Sequence, residues 1–202
     1  MEQLCKLFGS PARVKLLRLF LFNPTKAYGR DDVIALSRIT PPTATKELAW
    51  LARSGIIKHR NSTKSRENAE RGTKRKAVVW VLDTGYPHLV QLSTFMRDTL
   101  SLSDADLIKR FRAVGSLRKL VFAGFLAGVI RESTLDALLV GERIDMPALE
   151  GVIRSLEAES GKEMRYAVFS TEEYLYRLRV RDKLLRDIMD YPHRVLIDKM
   201  LV

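Results

Sequence analysis

The sequence is poor in the residues that carry most metal and redox chemistry. It holds one cysteine and three histidines in 202 residues. Cys5 alone cannot close an internal disulfide, and it is expected to serve as a small apolar helix residue rather than a nucleophile. His88 has no second His or Cys nearby at ligand spacing, so no metal is expected there. No run approaches the roughly 18 consecutive apolar residues that span a membrane. The opening MEQLCKLFGSPARVK lacks the basic-then-apolar order of a secretory signal. Together these absences predict a cytoplasmic protein without a membrane partner.

Acidic residues are scarce in one half only. Residues 1–100 carry 18 Lys/Arg against 8 Asp/Glu, a net charge of +10, whereas residues 101–202 carry 17 against 16, a net of +1. Such asymmetry assigns a polyanion partner to the first half. Hydrophobic residues make up 46% of the chain, enough for a buried core.

The basic half centres on Thr40–Asp83. TPPTATKELAWLARSG reads as a helix with Thr40 as N-cap, Pro41 and Pro42 at its start and Gly55 as its stop. Ala44, Leu48 and Leu51 recur at helical spacing on one face; Thr43, Thr45, Lys46 and Ala49 fall on others. Two strand-like runs follow, Ile56–Arg60 and Ala77–Leu82, separated by a long polar loop. From Lys58 to Lys76 the ribbon holds eight basic residues, Lys58, Arg60, Lys64, Arg66, Arg71, Lys74, Arg75 and Lys76, against Glu67 and Glu70. Upstream, Ser10–Phe22 reads as a capped helix with a broad apolar stripe, and Arg30–Ser37 as a second, shorter one. Downstream, Tyr86–Leu100 reads as a connecting helix that covers the first domain, bridges to the second or pairs with another subunit.

The pattern Thr43-Ala44-Thr45-Lys46-x-Leu48-x-x-Leu51-x-x-x-Gly55-Ile56-Ile57, with its flanking ribbon, resembles a winged helix-turn-helix of the ArsR-like transcriptional regulators over about residues 4–83. The resemblance implies double-stranded DNA as partner and, with two half-sites to read, a homodimer. Thr43, Thr45 and Lys46 would enter the major groove. The wing residues Lys58, Arg60, Lys64, Arg66, Arg71, Lys74, Arg75 and Lys76 would meet phosphates.

The second half alternates strands and helices and so predicts an α/β (α+β) domain. A helix is expected from Ser103 to about Val114, and strands at Leu117–Ala123, Leu135–Val140 (closed by Gly141), Glu163–Phe169 and Arg194–Asp198. Helices are expected at Met146–Glu159, Ser170–Arg179 and Lys183–Met189. From about Ser103 onward this order resembles the minimal nucleotidyltransferase fold of the MNT and DNA polymerase beta type. Active members place Gly-Ser after a strand, then a second Gly, an Asp-x-Asp strand and a later carboxylate, and hold two Mg²⁺ ions. Here Gly124 and Gly128 match the glycines, but Phe125 stands in the serine position and Thr134 in that of the first carboxylate. Only Asp136 remains, and the strand around Arg165 has no central acid. The expectation is a catalytically inactive module with no cofactor and no metal, whose former cleft near Gly124, Phe125, Gly128 and Asp136 takes a small ligand, or which docks a protein or a second copy. The resulting domains are 1–84, a connecting helix at 85–102, and 103–202. Alternative readings are an active nucleotidyltransferase docking on nucleic acid and an antitoxin-like interaction protein.

Overall fold

Ser10 opens the first long helix as its spacing from the apolar stripe requires. In the computed structural model, which describes residues 2–62, 77–100, 102–127 and 135–200, helix α2 runs Pro11–Leu21 and the Ser10 hydroxyl accepts from the Arg13 amide at 3.4 Å. A short helix, α1 (Glu2–Phe8), precedes it and carries Cys5, as the reading of that residue implied, although its bounds were not expected. Helix α3 (Arg30–Ser37) and helix α4 (Pro41–Arg53) follow. Chain contacts divide the protein into two compact units of mixed α and β structure, Met1–Leu100 with Ser155–Lys162, and Ser101–Arg154 with Glu163–Val202.

In the first unit, α3 and α4 bury one face each, whereas α2 is buried on nearly every side. Val14, Leu17 and Phe20 of α2 meet Val33 of α3 and Leu48 and Leu51 of α4 in one core. Burial of each large aliphatic side chain stabilises by roughly 1.5–3 kcal/mol. The core also holds an ion pair, Arg13 Nε to Glu47 Oε2 at 2.7 Å, with the Arg13 guanidinium 4.0 Å from the centre of the Trp50 ring. Gly55, at φ 73°, ends α4 and turns the chain into β2 (Ile57–Ser62). That strand pairs antiparallel with β3 (Ala77–Leu82), which pairs in turn with a two-residue strand, β1 (Ala27–Tyr28), giving the order β1-β3-β2. Helix α5 (Leu89–Asp98) closes this part of the chain, starting three residues later than its apolar pattern suggests.

Residues 155–162 pack against α2 in the same unit. Arg18, 1% exposed, donates from Nη1 to the Glu159 carbonyl at 2.9 Å and from Nη2 to that of Thr99 at 3.2 Å. Burial pushes its guanidinium down to about 10, against the opposing pull of Glu159 and Cys5. Asn23 Nδ2 bridges the carbonyls of Leu19 (2.8 Å) and Gly161 (2.7 Å).

The second unit is built on a four-stranded mixed sheet of order β6-β5-β4-β7. Helix α6 (Asp104–Arg112), capped by Ser103, leads into β4 (Ser116–Ala123). A single 3₁₀ turn, Gly124–Ala127, follows β4. Strand β5 (Ala137–Glu142) returns antiparallel to β4. Helix α7 (Met146–Ser160) lies in the connection to β6 (Tyr166–Phe169), which is parallel to β5. Helices α8 (Thr171–Arg179) and α9 (Lys183–Met189) then lead to β7 (His193–Asp198), antiparallel to β4 on its other side. Val121, Ala123, Leu138 and Val140 pack against Tyr174, Leu185 and Ile188.

Strand β2 runs Ile57–Ser62 rather than Ile56–Arg60, β4 and β7 each begin one residue early, and two strands of the second unit shift further. Leu135 and Asp136 precede β5 rather than open it, and β6 begins at Tyr166 rather than Glu163. Gly141 does not close β5 but lies within it, opposite Leu117, where β4 is irregular. A Cβ there would sit 2.6 Å from the Ser116 carbonyl oxygen, so the close approach of the two backbones requires glycine.

Candidate nucleic-acid interface

Helix α4 is amphipathic in the way its sequence implies. Ala44, Leu48 and Leu51 are buried, whereas Thr45, Lys46 and Ala49 are exposed and Thr43 is half-buried. The exposed side begins within the first turn and a half of the helix. Arg30, at the start of α3, reaches the Pro41 carbonyl with Nη2 at 3.4 Å and brings a further positive charge to the same end. Only its place in the basic half of the sequence pointed to it.

Thr40 occupies the N-cap position of α4, but its hydroxyl caps no backbone amide. Pro41 and Pro42 carry no N–H, which removes the amides nearest the cap. The Thr40 hydroxyl pairs instead with that of Thr43 at 2.8 Å. The Thr45 hydroxyl donates to the Pro41 carbonyl at 3.0 Å. The sequence placed these threonines on the helix surface but did not reveal what their hydroxyls bond.

On the hairpin, Lys58 and Arg60 are exposed and, two residues apart, share one face of β2. Lys58 is not a free charge: its ammonium lies 3.0 Å from Asp83 Oδ1. That hydrogen bond, with a second from the Gly85 amide at 3.1 Å, holds the Asp83 carboxyl below the usual carboxylate range. The opposite face of β2 carries His59, whose ring lies 5.3 Å from that of Trp80 directly across the ladder. The sequence reading singled out neither ring. Lys64, Arg66, Arg71, Lys74, Arg75 and Lys76 lie outside the described residues.

The cleft residues of the second unit fall at one end of the sheet. Gly124 is buried and Phe125 half-buried in the turn after β4; Gly128 lies outside the described residues. Asp136 is 5% exposed and sits just before β5. Its Oδ2 accepts the Arg165 amide at 2.9 Å and faces Arg165 Nε at 3.7 Å. A carboxylate shared between an amide and a guanidinium does not fit a divalent ion, whose ligands are oxygen-rich and anionic. Among the described residues, no group of three or more His, Cys, Asp or Glu could hold a metal. Nor is any helix of those residues long and apolar enough to cross a membrane.

No protein-family model, curated protein or solved structure matches the chain.

Proposed function

We propose that the first unit is a winged helix that binds double-stranded DNA. In this reading the exposed side of α4 enters the major groove and the β2–β3 hairpin lies along the sugar-phosphate backbone. The observation that carries it is the surface of α4: Thr45 and Lys46 are exposed near its start while the opposite face is wholly buried. A helix of that shape fits a groove roughly 12 Å wide. Lys58, Arg60 and the basic residues of 63–76 then supply phosphate contacts, in keeping with the net charge of +10 over residues 1–100. A second copy reads the other half-site, and the protein acts as a sequence-specific transcriptional regulator.

The second unit, in this proposal, is a nucleotidyltransferase-like module without catalysis, kept for sensing or assembly. The order α6-β4-β5-α7-β6 supports the fold reading. The engagement of Asp136 by Arg165 supports inactivity, because the last matching carboxylate already serves an amide and a guanidinium and one carboxylate alone does not hold two divalent ions.

Selection from a random-sequence duplex library, followed by a salt series, tests the DNA-binding reading. The expected result is an enriched palindrome with a steep salt slope, and loss of binding when Lys74, Arg75 and Lys76 are each changed to Glu. Binding without enrichment leaves a non-specific anchor and removes the regulator. Absence of binding overturns the proposal.

A further inference from the structure

Thr45 spends its only hydroxyl proton inside α4, on the Pro41 carbonyl at 3.0 Å. A threonine in that state has no donor left to offer a ligand. What remains are the oxygen's lone pairs, which accept, and the γ-methyl. Its neighbours differ. Thr43 is half-buried and shares its hydroxyl with Thr40 at 2.8 Å, and Lys46 only donates. Thr45 is therefore the exposed acceptor-plus-methyl group in this first stretch of the helix.

Base pairs in the major groove differ in how they meet such a group. Along its major-groove edge an A·T pair presents adenine N7 (acceptor), adenine N6 (donor), thymine O4 (acceptor) and then the thymine methyl. A G·C pair presents guanine N7 and O6 as acceptors and then the cytosine N4 donor, so the donor alone does not separate the two pairs. Cytosine offers a donor but no methyl.

We propose that Thr45 is a specificity-determining residue that selects an A·T pair, with its oxygen toward adenine N6 and its methyl against the thymine methyl. The inference rests on the DNA-binding reading above and adds the base-pair class that the helix prefers. Lys46, a donor, contacts a guanine edge or a phosphate next to that pair.

The test uses the full chain and the motif recovered from the duplex library by the wild type. Each thymine of the motif is replaced in turn by deoxyuridine, which removes only the C5-methyl group. At one position per half-site, wild-type affinity is expected to fall about fourfold, the worth of one buried methyl group. Thr45→Ser, which keeps the hydroxyl and lacks the methyl, is expected to bind the thymine and deoxyuridine duplexes equally at that position. Thr45→Val keeps the methyl and should retain the sensitivity. Thr45 is exposed, so both variants should fold, and circular dichroism checks this. If a variant does not fold, the wild-type scan still decides, because a motif without a methyl-sensitive thymine overturns the assignment. The assignment also falls if Thr45→Ser responds to deoxyuridine as the wild type does at every position, although DNA binding would then stand. If the wild type binds DNA but enriches no motif, the assignment falls; if it binds no DNA, the failure lies with the DNA-binding reading beneath it.

Discussion

Asp136 and Arg165 are bound to each other three times: the Arg165 amide donates to Asp136 Oδ2 at 2.9 Å, the Asp136 amide donates to the Arg165 carbonyl at 2.6 Å, and Arg165 Nε lies 3.7 Å from Oδ2. The two amide bonds tie the residue before β5 to the residue before β6, where the two parallel strands begin. They give Asp136 a structural task that needs no metal. Asp136→Ala deletes the side-chain acceptor and leaves the Arg165 amide without it, a change that costs about 1–3 kcal/mol. Urea unfolding should show that loss, with the midpoint of neither wild type nor variant raised by Mg²⁺. A midpoint that Mg²⁺ raises in the wild type but not in Asp136→Ala would show that the cleft binds metal, and the inactive reading would fail.

Gly161 meets α2 more closely than any other residue type allows. A Cβ at this position would stand 2.5 Å from both the Arg18 carbonyl carbon and the Leu19 nitrogen, and its φ of +73° is unfavourable for an L side chain. Left-handed strain of roughly 1–2 kcal/mol combines with overpacking of roughly 1–3 kcal/mol. Gly161→Ala should therefore lower stability by about 2–5 kcal/mol. The denaturant midpoint measures it, and a loss under about 1 kcal/mol would mean that residues 155–162 move away from α2 at little cost.

Much of this architecture is legible in local chemistry. Pro11 after Ser10, Pro41 after Thr40 and Gly55 after the last apolar turn mark the ends of α2 and α4, and α3 and α9 fall where periodicity puts them. Strand β1 escaped because two residues show no period. Gly141 read as a terminator because an isolated glycine in an apolar run looks like a turn, whereas the backbone approach that demands it involves Ser116, far away in sequence. The candidate site divides in the same way. Helical spacing placed Thr45 and Lys46 on the surface and allows the Thr45 bond to Pro41, four residues back, but no spacing rule reports the Lys58 pair with Asp83 or the Asp136 pair with Arg165. The two ion pairs join residues distant in sequence, so only the fold brings them together.

Lys119 and Asp198 form a pH-sensitive tie between β4 and β7, Nζ to Oδ2 at 2.8 Å. The hydrogen bond from Lys119, aided by the Met200 amide, holds the Asp198 carboxyl below its ordinary 3.8. Burial pushes the Lys119 ammonium down, but Asp198 and Tyr174 outweigh it and raise it above 10.5. A lowered carboxylate stabilises the fold above pH 3.8 and loses that effect as pH falls through its folded value. A raised ammonium stabilises it up to pH 10.5 and loses that effect as pH rises further. Asp198→Asn should flatten the stability profile on both flanks and lower the plateau between them. The drop should stay within about 1 kcal/mol, because the Asp198 side chain is 43% exposed. Urea midpoints across the pH range measure it; flanks as steep as the wild type's would place the titration in other groups.

Lys58 and Arg60 sit on the same face of β2, yet they should not contribute equally to DNA binding. Lys58 is already paired with Asp83 at 3.0 Å, so a phosphate must compete with a carboxylate for it. No ion pair with a described residue constrains Arg60 in this way. Each phosphate contact contributes about 0.9 to the slope of log affinity against log salt. Arg60→Ala should flatten that slope by about 1, and Lys58→Ala by clearly less. Asp83→Asn removes the competing charge and leaves Lys58 in place, so it should steepen the slope and tighten binding at low salt. Binding isotherms at several salt concentrations separate the cases. Equal flattening by the two alanine variants, with no effect of Asp83→Asn, would mean that the Lys58–Asp83 pair opens freely on DNA and that the carboxylate does not regulate the hairpin's charge.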